Sequence, residues 1–212
     1  QELSSKNDAY DVVVADEKTL VDLIDLRLLS KLDPKSLTPR SIQGELILNS
    51  SSAIETDYSV PYLWGLTVLA GRTEAIKEIE PSWSLIWRED LRVGLLDEPL
   101  DLMWVALLAL GHDPATATKA QVDEASARLA KRFPDFSGVM IDLFSALDAL
   151  EAGEMDLVMS YNGDALSRAT AASGIKVIVP TEGAPLWLDS LAISRDAPNP
   201  ALAHRFINFM TT

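Results

Sequence analysis

Trp187 and Asp189 stand two residues apart, and in an extended strand that spacing puts an aromatic ring and a carboxylate on one face. Tyr161 and Asp164 stand three apart across a turn, Tyr161-Asn162-Gly163-Asp164, that reads as the passage from a strand to a helix. Asp97, Glu98 and Asp101 bracket Pro99 at another helix start, and Asp16 follows a β-branched run. An aromatic beside a carboxylate suits a cation with an apolar body. The ring covers the methylenes and attracts the ammonium through its quadrupole, while the carboxylate takes the charge. The same residues also serve elsewhere as ordinary helix caps, and a tryptophan such as Trp187 as ordinary core, so the spacing alone leaves both uses open.

Charge is unevenly placed around these turns. The 212 residues carry 32 Asp and Glu against 18 Lys and Arg, a net charge of -14. No basic residue occurs from 93 to 118 or from 133 to 167, windows that hold four and seven acids respectively. A pocket drawing on both windows would be strongly negative. The balance argues against nucleic acid and against anionic membrane surfaces, and leaves either a cationic partner or simple solubility.

Other chemistry finds little support. There is no Cys, so thiol nucleophiles, thiolate metal sites and disulfides are excluded. His112 and His204 are isolated and lack metal-ligand spacing. No Gly-x-Ser-x-Gly elbow, phosphate-binding glycine loop or dinucleotide fingerprint is present, and nothing sets the carboxylates of Asp97 and Asp101 apart as an acid and a base. We therefore expect no enzyme, no metal and no cofactor.

The elements that must position these residues follow from periodicity. Strands are expected at Tyr10 to Val14, Val60 to Ala70, Val93 to Leu96, Asp156 to Met159, Ile175 to Val179 and Leu186 to Ile193, with one more near Ile47. Helices are expected at Thr19 to Leu32, Leu100 to Leu110, Lys119 to Arg132, Ile141 to Ala152, Tyr161 to about Ser173, and Pro200 to Met210, with Trp83 to Arg92 a short helix followed by a turn. Strands alternating with helices predict an α/β fold with a mostly parallel sheet, in which ligands sit beyond the carboxyl ends of the strands. The turns above lie at those ends. No apolar run is long enough to span a bilayer, and no signal peptide is visible. The polar start at Gln1 and the stop just after the apolar Phe206-Ile207-Asn208-Phe209-Met210 suggest a piece of a longer chain.

Four segments in order carry a family resemblance: Ala9 to Val14, Asp57-Tyr58-Ser59-Val60-Pro61-Tyr62-Leu63-Trp64-Gly65, Asn162-Gly163-Asp164-Ala165, and Trp187 to Ile193, with Phe206-Ile207-Asn208-Phe209 following. Over nearly its whole length the chain resembles the periplasmic spermidine/putrescine-binding proteins of bacterial ABC importers. The resemblance implies a two-lobed solute-binding fold of type II, truncated at both ends. Residues 1–65 and 186–212 would form an incomplete first lobe and 66–185 the second. It implies a monomeric periplasmic receptor that closes over a polyamine and delivers it to a permease. The implied ligand residues are Asp101 with Glu98 beside it, Tyr161 in place of the family's usual Trp, Asp164, Trp187 and Asp189, with Asp16 at the first strand's turn. That turn reads Ala15-Asp16-Glu17-Lys18, a departure from the family's Pro-Ser-x-Tyr-like sequence. Lys18 would repel an ammonium if it pointed inward, could pair with Asp16, or could signal a carboxylate-bearing solute. Two alternatives stand beside the polyamine: another small organic solute such as an amino acid or opine, and a sensory module serving a membrane signalling protein.

Overall fold

The computed structural model describes residues 10–37, 57–77, 79–134, 140–170 and 173–211. The chain separates into two compact units, Gln1–Trp64 with Trp187–Thr212, and Gly65–Leu186.

In the first unit, β1 (Val12–Asp16) and the two-residue β2 (Leu29–Ser30) both run antiparallel to β8 (Leu186–Ser194). The alternation of β8 sends Leu191 and Ile193 to one side and Ala192 to the other, as a strand covered on both faces requires. Leu191 and Ile193 pack with Val60, Leu32 and, from α6 (Pro200–Met210), Ala203 and Ile207. Ala192 packs with Ala15, Leu29 and Leu20 of α1 (Glu17–Asp25). Helix α6 starts cleanly because Asn199 accepts from the Leu202 amide at 3.2 Å and Pro200 occupies the first turn.

The periodicity of Thr19 to Leu32 predicts one helix, but α1 ends at Asp25. Arg27 adopts φ 55°, the Leu28 amide donates to the Leu23 carbonyl and the Arg27 amide to Ile24, each at 2.9 Å. This is a Schellman closure with arginine where glycine is usual, so no glycine marks it in the sequence. Leu29 is then free to pair with Ser194.

In the second unit the long β3 (Ser59–Arg72, of which the part from Gly65 belongs here) runs antiparallel to β6 (Leu157–Tyr161) and β7 (Ile175–Ile178). β4 (Val93–Leu96) lies parallel to β6 and to β5 (Met140–Ile141). The sheet is mixed, not mostly parallel, because β3 runs antiparallel to both β6 and β7 while only β4, β5 and β6 run parallel to one another. One face packs on α2 (Pro99–Leu108) and α3 (Lys119–Arg132), through Leu69, Leu157 and Met159 against Leu102, Val105 and Leu129. The other packs on α4 (Leu143–Glu151) and α5 (Asn162–Arg168), through Val68, Ala70 and Val158 against Leu147, Leu150 and Ala165.

Other boundaries also move. Trp83–Trp87 is a 3-10 turn, held by Glu182, which accepts from the Trp83 amide, and by the indole of fully buried Trp83, which donates to the Gly183 carbonyl at 2.7 Å. The helix expected from Ile141 starts after its cap Asp142, whose side chain takes the Phe144 and Ser145 amides. The helix after Tyr161 ends at Arg168. The strand expected near Ile47 lies outside the described residues.

Candidate functional site

Three of the seven implied ligand residues, Asp16, Trp187 and Asp189, fall in the first unit. Asp16 closes β1 and caps α1, its Oδ1 accepting from the Thr19 amide at 2.6 Å. The β1–β8 register puts Asp16 directly opposite Asp189. Cross-strand partners present their side chains on the same side, so the two carboxylates are neighbours. Trp187 is half-buried, precedes Asp189 by two residues on β8, and shares that face, while Leu188 between them is buried on the other side. The arrangement is a ring and two carboxylates on one face of a strand pair. Burial, and secondarily the charge of Asp16, pushes the Asp189 carboxyl above the ordinary carboxylate value. Among the described residues, burial and the Asp16 charge are thus the influences that act on the Asp189 carboxyl, and both disfavour its charge.

Lys18, the second residue of α1, is exposed and forms no ion pair with Asp16. The N-cap bond to Thr19 occupies Asp16 instead.

The other four fall in the second unit, where topology brings them to one edge. β4 and β6 are parallel neighbours, Val93 opposite Leu157 and Gly94 opposite Val158, so their carboxyl ends lie side by side. Helices α2 and α5 begin at those ends. Glu98 occupies the N-cap position of α2 without capping it by its side chain, and Asp101 sits in the first turn. Tyr161 is the last residue of β6, and Asp164 lies in the first turn of α5. Both first-turn carboxylates gain from the unpaired amides and dipole of a helix start. Asp101 also accepts from the Thr67 hydroxyl, Oγ1 to Oδ2 at 2.5 Å. Thr67 is fully buried on β3 and stands opposite Tyr161 on β6. Next to it, the Leu66 amide donates to Oδ1 of Asn162 at 2.9 Å.

Thr67 and Asn162 are contributors that reading by residue type passes over. A threonine in the apolar run Leu66 to Ala70 reads as strand filler, and its bond to Asp101 spans 34 residues. Trp104 is 44% exposed and lies three residues beyond Asp101 on α2, the spacing of neighbours on a helix surface. Asp101-x-x-Trp104 was visible in the sequence as that pattern.

The histidines are used structurally. His112 contacts Glu124 at 3.1 Å and Gln121 at 3.0 Å. His204 accepts from the Asp33 amide through Nε2 at 3.0 Å and meets the Pro200 carbonyl through Nδ1 at 2.7 Å. Among the described residues no three His, Asp or Glu converge as a metal site, and no helix is long and apolar enough to cross a membrane.

Comparison with known proteins agrees with this architecture. The sequence profile of the bacterial extracellular solute-binding proteins matches residues 1–212. A spermidine/putrescine-binding periplasmic protein of Salmonella typhimurium is 30% identical over 208 residues, 97% of this chain and 59% of its own length. The chain thus spans about three-fifths of that relative. Two solved structures share the fold. The TpPotD lipoprotein of Treponema pallidum gives a TM-score of 0.86 at 23% identity, covering 99% of this chain and 67% of that one. A spermidine/putrescine ABC transporter substrate-binding protein of Streptococcus pneumoniae gives 0.83 at 22%, covering 99% and 65%.

Proposed function

This chain belongs to the bacterial extracellular solute-binding proteins, a family of transport receptors and not of enzymes, and on that footing we propose that it binds a polyamine of the putrescine or spermidine class. In this reading it acts as a monomeric periplasmic receptor, the two units are its lobes, and the solute-loaded form delivers its cargo to an ABC permease. The observation that carries the proposal is the face shared by Trp187, Asp189 and Asp16. The indole offers an apolar wall to a methylene chain, and the carboxylate pair offers a counter-charge to one ammonium. Asp101 and Asp164, in the first turns of α2 and α5, and Tyr161 at the end of β6 offer the same residue types in the second unit. The spermidine/putrescine-binding relative at 30% identity supports the choice of ligand class.

Binding proceeds without chemistry. The amines exchange water for fixed carboxylates, and the methylenes exchange water for rings. A buried ammonium–carboxylate pair gains little net energy once desolvation is subtracted. Affinity then comes largely from the rings, and discrimination by chain length from the spacing of the carboxylates. Closure is favoured only by as much as the solute binds the closed form better than the open one.

A thermal-shift panel of putrescine, spermidine, amino acids and organic acids on the full-length protein tests this. At 100 times Kd a ligand stabilises the native state by about 2.7 kcal/mol. A shift with a di- or polyamine supports the proposal; a shift only with acids overturns it. One observation favours a second reading: Lys18 stands exposed in the first turn of α1, two residues from Asp16. A solute carrying both an amine and a carboxylate, such as an amino acid or opine, would use both residues, and would win a competition against spermidine.

A further inference from the structure

Two consecutive residues of β3 hold the starts of α2 and α5. The Leu66 amide is taken by Asn162, the first residue of α5, and the Thr67 hydroxyl by Asp101 in the first turn of α2. The Thr67 amide goes to the Pro185 carbonyl at 2.9 Å. Its hydroxyl has a single proton, and that proton goes to the carboxylate. Thr67 is fully buried, so a hydroxyl without an acceptor there would be costly, and Asp101 supplies that acceptor. It fixes Oδ2 of Asp101 and leaves Oδ1 to face another donor. Tyr161 stands opposite Thr67 across the β3–β6 ladder, so the ring and the carboxylate are referred to one strand position.

We propose that Thr67 is a positioning residue, which orients the Asp101 carboxylate beside the Tyr161 ring before any solute arrives. The proposal deepens the polyamine reading and rests on it for the identity of the solute. A carboxylate held in one rotamer need not be ordered during binding. That ordering saves about two- to tenfold in affinity for one side chain. Thr67 itself is too deep to touch the solute, so its effect passes through Asp101.

The test uses the full-length protein, with spermidine as probe. Thr67→Val keeps the shape and removes the donor, and Thr67→Ser keeps the donor. We expect Thr67→Val to weaken spermidine binding about fivefold, and Thr67→Ser to stay within about twofold of wild type, with Tm recorded for each. In an Asp101→Asn background Thr67→Val should add nothing, because the group it positions has lost its charge. A merely structural threonine would weaken binding equally in both backgrounds, and that result overturns the proposal, as does unchanged affinity in Thr67→Val alone. Crystal structures of wild type and Thr67→Val give a ligand-free reading. Asp101 should leave its single rotamer in the variant, and an unchanged rotamer overturns the proposal. If wild type binds no spermidine while the rotamer does change, the solute assignment fails and the positioning role stands.

Discussion

Asp189→Asn should make the solute-free protein more stable and the receptor worse. Asp189 faces Asp16 across the β1–β8 pair, and both burial and that neighbour raise its carboxyl above the ordinary value. Like charges directly opposite on adjacent strands cost about 0.2–1 kcal/mol. Asp189 is only partly buried, so solvent screening places the gain from neutralising it near the middle, about 0.5 kcal/mol. For a chain of this size that corresponds to a rise in Tm of about 1–2 °C. The sign with pH follows. The folded state holds the Asp189 proton to higher pH than the unfolded chain does. The electrostatic cost is therefore fully present at neutral pH and fades as pH falls through the raised value. Wild type should gain on Asp189→Asn as the solution is acidified from neutrality, and the two should converge once Asp189 is protonated. Binding moves the other way. Losing a hydrogen bond between charged groups costs about 1.5–3 kcal/mol, or at least about tenfold in Kd. Urea melts from pH 4 to 7 without ligand, and calorimetric titration with spermidine, measure both. A variant less stable than wild type at pH 7 would mean that Asp16 does not oppose Asp189, and unchanged spermidine binding would remove Asp189 from the site.

Other perturbations probe separate links. Trp187→Ala should weaken polyamine binding by about 2 kcal/mol or more, as for a buried aromatic anchor, and unchanged titration isotherms would remove Trp187 from the site. Arg27→Gly should leave the protein as stable or more stable, by up to about 1 kcal/mol in urea melts, because φ 55° is strained for arginine and costless for glycine. A clear loss would show that the Arg27 side chain matters. Asp156 accepts from the Arg92 amide at 3.0 Å and side chain at 2.6 Å, and lies 3.6 Å from Arg72. The Arg92 contacts hold its carboxyl below the ordinary value, so its stabilisation is present at neutral pH and lost as pH falls through the lowered value. Asp156→Asn should cost about 1–3 kcal/mol at pH 7 and progressively less in acid.

What could be read in advance was local. Lys119–Arg132 announces itself by its capping box, with Thr118 and Gln121 exchanging bonds, and Pro200–Met210 by Asn199 and Pro200 at its start. Val93–Leu96 is an unbroken apolar run, and all four residues are buried. The alternation that puts Trp187 and Asp189 on one face needs only their spacing. What escaped depends on contacts far apart in sequence. The stop of α1 uses arginine in a glycine's place, and its reward is the pairing of Leu29 with Ser194. The antiparallel course of β3 is set by β6 and β7, about ninety to a hundred residues on. The same holds for the side chains of interest: Asp16 meets Asp189 through strand register, and Asp101 meets Thr67 through packing. Residue type could suggest these groups, but only the fold says which of them are neighbours.

Isothermal titration of the full-length protein with putrescine and with spermidine decides whether this receptor takes a cationic, methylene-bodied solute. Saturable binding of one molecule per chain is expected, with a negative heat-capacity change from burial of the methylenes against the rings. No heat with either amine, alongside saturable binding of a solute bearing a carboxylate, would contradict it.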